Sequence, residues 1–201
     1  NTKIIAITGS CGKTTLKEML GDSLKKISKV SISPKSYNNK YGVPLSLLNL
    51  KENDDFGVLE VGMDKKGEID YLSKIIQPDV SVITNINFAH IKNFKSIKHI
   101  ALAKSEIIQN TNPGGYVILN ADDNFFSFHK KIVTQNNLKL VSFGIRNSQS
   151  DMKFLDIKKK ENHFQLWTQI NGVKKYFLVS NNFQNNIYNI LASLAVMSIY
   201  K

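Results

Sequence analysis

The sequence has little cysteine and arginine and no long apolar run. Cys11 is the only cysteine, which excludes an internal disulfide and fits a reducing compartment, so we expect a cytoplasmic protein. No stretch approaches the roughly 20 consecutive apolar residues of a membrane-spanning helix. No signal-peptide pattern is recognisable either, and we therefore expect no insertion into a membrane.

The charge is strongly basic, but its distribution does not favour nucleic acid. The formal net charge is +11, and Arg146 is the only arginine. Proteins that read nucleic acid favour arginine for bidentate contacts to bases, whereas the lysines here are scattered in short runs such as 158–160. We interpret the excess as solvated faces with some attraction for polyanions such as nucleotides. We expect no nucleic-acid partner.

The clearest motif is a glycine-bracketed loop between an apolar strand and a helix. Residues 3–7 are rich in isoleucine, which indicates a strand buried on both faces. From Leu16 to Ile27, apolar residues recur at helical spacing. Glycines let backbone N–H groups approach oxygen atoms, and the N-terminus of a helix is partly positive. The arrangement predicts a phosphate site of a nucleotide, with Lys13 neutralising the terminal phosphates and the Thr14 hydroxyl available to Mg²⁺.

This loop is shorter than the common phosphate-binding loop, whose pattern is Gly-x-x-x-x-Gly-Lys. We interpret it as a shortened nucleotide-binding loop, with a plain glycine-rich turn as the alternative. We expect the cysteine to fill a variable loop position rather than to act as a nucleophile, because no base stands beside it in the sequence. The nucleotide contacts predicted in this segment are Gly9, Ser10, Cys11, Gly12, Lys13, Thr14 and Thr15.

Strands and helices alternate as far as residue 144, which predicts an α/β fold with a doubly wound, mostly parallel sheet. Beyond that point the alternation is looser, and Asn171-Gly172 is a strong type I′ hairpin signal. We therefore predict a small antiparallel flap at about residues 152–179, followed by a closing helix. With 201 residues and 42% hydrophobic content, we expect one domain over residues 1–201.

Three polar residues are predicted at the carboxyl edge of this sheet, where ligands of parallel sheets bind. Glu60 ends an apolar strand, where a lone carboxylate is costly. We favour a role for it in Mg²⁺ binding, directly or through water, over a side chain that points to solvent. Asn85 and His90 follow the strand at 80–84. Taken alone, the histidine is better interpreted as an ordinary surface or packed residue.

Lys104 lies on the apolar face of a predicted helix at 96–109, with Ile97 and Ile100. From the residues alone we favour snorkelling of its amine to solvent over a paired acid or a depressed pKa. Asn38 and Asn39 stand in a polar loop, where asparagine commonly forms turns.

The assembled motifs resemble those of the Mur ligases, the ATP-dependent amide-forming enzymes of peptidoglycan precursor synthesis. The resemblance covers almost the whole chain, and it looks most like the members that add D-Ala-D-Ala to UDP-MurNAc-tripeptide. Other Mur ligases and folylpolyglutamate synthetase are the nearest alternatives; a nucleic-acid-stimulated ATPase and a non-catalytic module are more distant ones. The segments that carry it are 8–15, 37–44, 60–62, 67–69, 103–107, 119–123, and Asn85 five residues before His90.

The resemblance implies roles for these residues. Thr14 and Glu60 would hold one Mg²⁺, while His90 and Lys104 would hold a second, with the lysine carbamoylated by CO₂. Lys13 would bind the β- and γ-phosphates of ATP. The remaining implied contacts are Asn85, Asn186 and Asn189 near the nucleotide, and Asn38 and Asn39 near the muramoyl substrate.

The implied reaction is phosphoryl transfer from ATP to the substrate's terminal carboxylate, followed by attack of the D-Ala-D-Ala amine on the acyl phosphate. The family also has an N-terminal UDP-substrate domain and a C-terminal domain. Neither is found in residues 1–201, so we expect a monomeric central ATPase domain that is inactive as a ligase alone. One departure is that Phe183-Gln184-Asn185-Asn186 stands where the family has Gly-x-His-Asn. This difference weakens the inference that the segment contacts the adenine of the nucleotide, although Asn186, the last residue of the motif, is kept.

Overall fold

The computed structural model describes residues 2–88, 93–180 and 186–200. Strands and helices alternate through the first two thirds of the chain, as the sequence predicts, and a 3₁₀ turn at Ser198–Tyr200 follows the last helix. The elements are β1 (Lys3–Thr8), α1 (Lys13–Leu24), β2 (Val30–Ile32), α2 (Gly42–Leu48), β3 (Phe56–Glu60), α3 (Glu68–Ile76), β4 (Val80–Ile83), α4 (Ile97–Gln109), β5 (Tyr116–Asn120), α5 (Phe126–Gln135), β6 (Lys139–Gly144), β7 (Met152–Lys159), β8 (His163–Ile170), β9 (Val173–Ser180) and α6 (Ile187–Met197).

The described strands form one sheet in the order β2-β3-β1-β4-β5-β6-β7-β8-β9. All pairings from β2 to β7 are parallel, while β7–β8 and β8–β9 are antiparallel. The predicted doubly wound α/β fold is confirmed. Because β1 lies between β3 and β4, the loops that follow these three strands open at a topological switch point, where ligands of such sheets bind.

The two faces of the sheet carry separate apolar cores. Ile5 and Ile7 of β1 point toward α1 and α6, whereas Ile4 and Ala6 point toward the helices on the other face. This alternation follows from the two-residue period of a strand. Each fully buried aliphatic side chain of this kind stabilises the fold by about 1.5–3 kcal/mol. The central strands are therefore fixed from both sides, and so is the edge where the loops begin.

The predicted antiparallel flap is present as β7 to β9, and it continues the main sheet. Phe143 and Gly144 of β6 pair in parallel with Met152 and Lys153 of β7. The connection between β8 and β9 has positive φ at Asn171 (48°) and Gly172 (84°), as a type I′ turn requires. Among the described residues, no helix is both long and apolar enough to cross a bilayer.

Candidate functional site

The loop at residues 9–12 is closely surrounded by other parts of the chain. Gly9 and Gly12 have φ of +147° and +82°, which L side chains rarely adopt. A Cβ on Gly9 would lie 1.8 Å from Thr84 Oγ1, and one on Gly12 would lie 3.0 Å from Asn189 Oδ1. The backbone conformation therefore favours glycine at both positions, and space excludes a side chain at Gly9. Asn189, predicted near the nucleotide, does lie against this loop.

Hydrogen bonds from the segment after β4 hold the loop in place. The Cys11 N–H donates to Asn85 Oδ1 (3.0 Å), and Asn85 Nδ2 donates back to the Cys11 carbonyl (3.1 Å). Thr84 Oγ1 donates to the same carbonyl (2.7 Å), and the Ser10 N–H donates to the Asn85 carbonyl (2.9 Å). Asn85 thus contacts the loop as both donor and acceptor. These hydrogen bonds fix the directions of the N–H and carbonyl groups of the loop.

Two lysine amines meet at one carbonyl of this loop. Lys13 Nζ and Lys104 Nζ each donate to the Gly9 oxygen at 2.9 Å. Lys104 is only 1% exposed, so the predicted snorkelling is wrong. Burial, and next the charge of Lys13, lower the pKa of Lys104 to about 7. Near neutral pH, a large fraction of this amine is unprotonated and can act as a nucleophile.

Glu60 stands at the end of β3 with both carboxylate oxygens engaged. Thr14 Oγ1 donates to Glu60 Oε2 and Asn38 Nδ2 donates to Glu60 Oε1, each over 2.7 Å. Glu60 is 2% exposed, so the alternative of a side chain that points to solvent is wrong. A hydroxyl and a carboxylate in contact are oxygen donors of the kind Mg²⁺ prefers, with water and phosphate completing its shell. The donor set therefore fits Mg²⁺ beside a phosphate loop.

A cleft of about 790 Å³ opens beside the loop. Asn38, Asn39 and Lys13 are among the residues that line it. Asn39 also forms a turn, since its Oδ1 accepts from the N–H groups of Tyr41 and Gly42, each at 3.0 Å. Of the charged residues lining the cleft, the basic ones outnumber the acidic ones, which favours an anionic ligand. These charged residues are Lys13, Lys40, Lys65, Lys66, Asp64 and Glu68.

The remaining predicted site residues lie at or near this edge or outside the described part of the chain. Thr15 is in the first turn of α1. Asn186 directly precedes α6, and its side chain makes no capping hydrogen bond. His90, predicted as a metal ligand, lies outside the described residues. Within those residues, no group of three or more His, Cys, Asp or Glu side chains could hold a metal ion.

Sequence reasoning missed three residues that shape this site. Thr84 and Asn87 flank the predicted Asn85, and Asn87 exchanges hydrogen bonds with the Ser10 hydroxyl (2.9 and 3.0 Å). Thr84 and Asn87 both follow the end of β4, and that position could have indicated their part in the site. Lys17 is fully buried one turn beyond Lys13. Its position between Leu16 and Met19 on α1 could have indicated that burial.

Comparison with known protein families matches residues 7–197 to the Mur ligase middle domain. UDP-N-acetylmuramoyl-tripeptide–D-alanyl-D-alanine ligase of Buchnera aphidicola subsp. Acyrthosiphon pisum (strain APS) is 45% identical over 140 residues, which are 70% of this chain and 31% of that protein. The chain spans about a third of the length of such curated relatives.

Solved structures show the same relationship. MurF ligase from Thermotoga maritima, in complex with ADP, has a TM-score of 0.87 and 29% identity over 100% of this chain and 46% of its own. Crystal structure I of MurF from Acinetobacter baumannii has a TM-score of 0.86 and 32% identity over 97% of this chain and 42% of its own. The ADP complex establishes nucleotide binding within this group of proteins. By sequence match and by fold, the chain belongs to the Mur ligase middle domain family.

Proposed function

We propose that residues 1–201 are the central, ATP-binding domain of a ligase that joins D-Ala-D-Ala to UDP-MurNAc-tripeptide. The relatives of that name support the choice of substrates. The observation that carries the proposal is the meeting of Lys13, Thr14, Glu60 and Lys104 around the loop at 9–12. The proposal includes a UDP-substrate domain and a C-terminal domain elsewhere in the protein, a monomeric state and a cytoplasmic location.

The loop and Lys13 would bind the phosphates of ATP. The N-terminus of α1 would supply partial positive charge, whereas the Ser10 and Cys11 N–H groups are already hydrogen-bonded to Asn85. Lys13 Nζ rests on the Gly9 carbonyl, so its ammonium is already beside the loop. There it would neutralise charge on the transferred phosphoryl group, and such positioning and neutralisation account for most of the catalysis in phosphoryl transfer.

Thr14 and Glu60 would hold one Mg²⁺, and Lys104 with His90 would hold a second. Bound Mg²⁺ supplies charge neutralisation at the phosphate oxygens. Asn38 holds one oxygen of the Glu60 carboxylate, which keeps the other directed at the Thr14 hydroxyl. The protein residues therefore set the direction of the carboxylate before any ligand binds.

Lys104 would serve as a carbamate. Its neutral amine adds to CO₂, forming an N–C bond and releasing one proton, which leaves an anionic side chain. The pKa of about 7 supplies the neutral amine near neutral pH. The Lys13 ammonium, which shares the Gly9 carbonyl with it, would stabilise the new negative charge.

The cleft beside Lys13 would receive the muramoyl tripeptide, with Asn38 and Asn39 in its lining. Its carboxylate terminus would face the phosphate loop, accept the phosphoryl group and then undergo attack by the D-Ala-D-Ala amine. The lysines of the cleft would attract the anionic substrate.

Assay of the full-length protein tests this function. ADP release should require UDP-MurNAc-tripeptide and D-Ala-D-Ala together with ATP and Mg²⁺. Replacement of the dipeptide by D-glutamate, by diaminopimelate, or by glutamate with a folate acceptor should give background rates. A clear preference for one of these replacements would assign the chain to a sister ligase.

A further inference from the structure

Lys17 is a buried cation that the proposed function does not use. Its side chain is 0% exposed. Nζ donates to the carbonyl of Ser33 (2.7 Å) and to the carbonyl of Lys35, and it pairs with Glu18 Oε1 at 3.2 Å. Burial of an ammonium group is costly unless acceptors surround it. Two backbone carbonyls of one short segment supply most of that compensation.

The segment that Lys17 holds leads directly to the Glu60 site. Ser33 Oγ accepts from the Glu60 N–H (3.3 Å), and the Ser33 N–H donates to the Val58 carbonyl (2.9 Å). Lys35 has φ of +40°, a left-handed conformation that costs a lysine about 1 kcal/mol. A few residues later, Asn38 donates to Glu60 Oε1. The hydrogen bonds to Lys17 therefore stabilise a strained segment that carries two partners of Glu60.

Lys17 and Thr14 are three residues apart on α1 and so lie on the same side of the helix. One helix thus presents the Thr14 hydroxyl to Glu60 Oε2 and anchors the segment whose Asn38 binds Oε1. We infer that Lys17 is a positioning residue that orients the Glu60 carboxylate for Mg²⁺ through the segment at 33–38. This inference rests on the proposed role of Thr14 and Glu60 in Mg²⁺ binding.

The test measures Mg²⁺ affinity in the full-length protein saturated with ADP, by isothermal titration. Lys17→Met keeps the length of the side chain and removes its donors. The Mg²⁺ dissociation constant should rise by about 10-fold or more, as it does when outer-shell partners of metal ligands are removed. ADP affinity in the presence of a chelator should remain unchanged. Lys26→Met, an exposed lysine just beyond the same helix, is the matched control and should change neither affinity.

Two further variants separate positioning from general stability. Lys17→Arg keeps donors for the two carbonyls and should restore part of the Mg²⁺ affinity. Leu24→Ala removes apolar packing two turns beyond Lys17 on α1 and keeps the Lys17 amine, so it should leave Mg²⁺ affinity unchanged in the folded protein. A loss with Leu24→Ala as large as that with Lys17→Met would overturn the inference.

A double-mutant cycle with Glu60→Gln completes the test, because a residue that acts through Glu60 has no further effect once Glu60 is changed. Lys17→Met should therefore add nothing to Glu60→Gln. If Glu60→Gln weakens Mg²⁺ binding and Lys17→Met does not, the positioning role is wrong and the proposed metal site stands. If Glu60→Gln itself has no effect, the proposed metal site fails and the positioning role fails with it.

Discussion

Lys13 and Lys104 donate to the same oxygen, the carbonyl of Gly9, although they are 91 positions apart in the chain. Two amines on one acceptor disfavour a double positive charge. Burial, and next the charge of Lys13, lower the pKa of Lys104 to about 7. Near neutral pH a large fraction of the Lys104 amine is therefore neutral while it shares the Gly9 carbonyl with Lys13.

Lys104→Ala should inactivate the full-length enzyme, because an anionic oxygen donor is lost from the proposed metal site. Added acetate or formate should restore part of the ATP turnover by occupying the space that the side chain leaves. Lys98→Ala, an exposed lysine on the same helix, should stay active and should not respond to either anion. An active Lys104→Ala enzyme that does not respond would contradict the carbamate.

Lys13→Ala should lower ATP turnover by about 100-fold or more, the effect typical of losing one preorganised charge at a reacting centre. The measurement is steady-state ADP release by the full-length protein, with Lys25→Ala as an exposed control near the same helix. Normal turnover by Lys13→Ala would remove the phosphate-binding role from this loop.

Gly9→Ala should disrupt the loop, because the new Cβ would lie 1.8 Å from Thr84 Oγ1. ADP affinity should fall by about 10-fold or more, the equivalent of about 1.4 kcal/mol. Gly114→Ala also forces an L side chain into positive φ (+73°), but in open space, so it controls for backbone strain alone. Equal ADP affinities in the two variants would show that the contact with Thr84 does not matter.

His129 should make the fold sensitive to acid. Burial lowers its pKa, although a hydrogen bond with the Ala101 carbonyl and the charge of Asp123 partly oppose this. Below about pH 6.5 the unfolded chain takes up the proton first. The free energy of unfolding should therefore fall from that pH down to the lower folded pKa.

Denaturant titrations of wild type and His129→Gln at several pH values check this expectation. The variant keeps a side-chain amide that can reach the Ala101 carbonyl but does not titrate. Its stability should fall less steeply as the pH drops below about 6.5. Parallel curves for the two proteins would exclude the histidine as the cause.

Residues 1–201 alone should bind ADP but should not ligate. The phosphate loop, Asn85 that bonds to it and Asn189 that lies against it are all within this part of the chain. Equilibrium binding of a fluorescent ADP analogue and a ligation assay, each run beside the full-length protein, check the two halves of this prediction. Robust ligation by residues 1–201 would show that further domains are not needed.

The sequence predicted the order of strands and helices because buried parallel strands appear as continuous apolar runs. The helix predicted at 96–109 is present as α4, and Ser96 is its N-cap, since the Ser96 side chain accepts from the His99 N–H. Helix α5 begins at Phe126, three residues after Asp123. There the Asp123 carboxylate accepts from the N–H groups of Phe125 (2.8 Å) and Ile86 (2.7 Å), a tertiary contact that local patterns do not contain.

The candidate site was predictable where a residue type and its place at a strand end agree, as for Glu60 and Asn85. Lys104 was interpreted wrongly and Lys17 was missed, and the reason is the same for both. Helical periodicity shows that a lysine lies on a buried face, but not which backbone carbonyl stands opposite. Both amines bind carbonyls of segments distant in sequence, at Gly9 and at Ser33. Only the folded chain reveals those acceptors.

The junction of β6 with β7 has a mechanical consequence. Met152, Leu166 and Ile170 lie in the same apolar cluster as α1 and α6. Rotation of the three antiparallel strands as a separate lid would break the β6–β7 pairing and expose that cluster to water. We therefore expect any closure that follows nucleotide entry to move the described strands β1 to β9 together as one sheet.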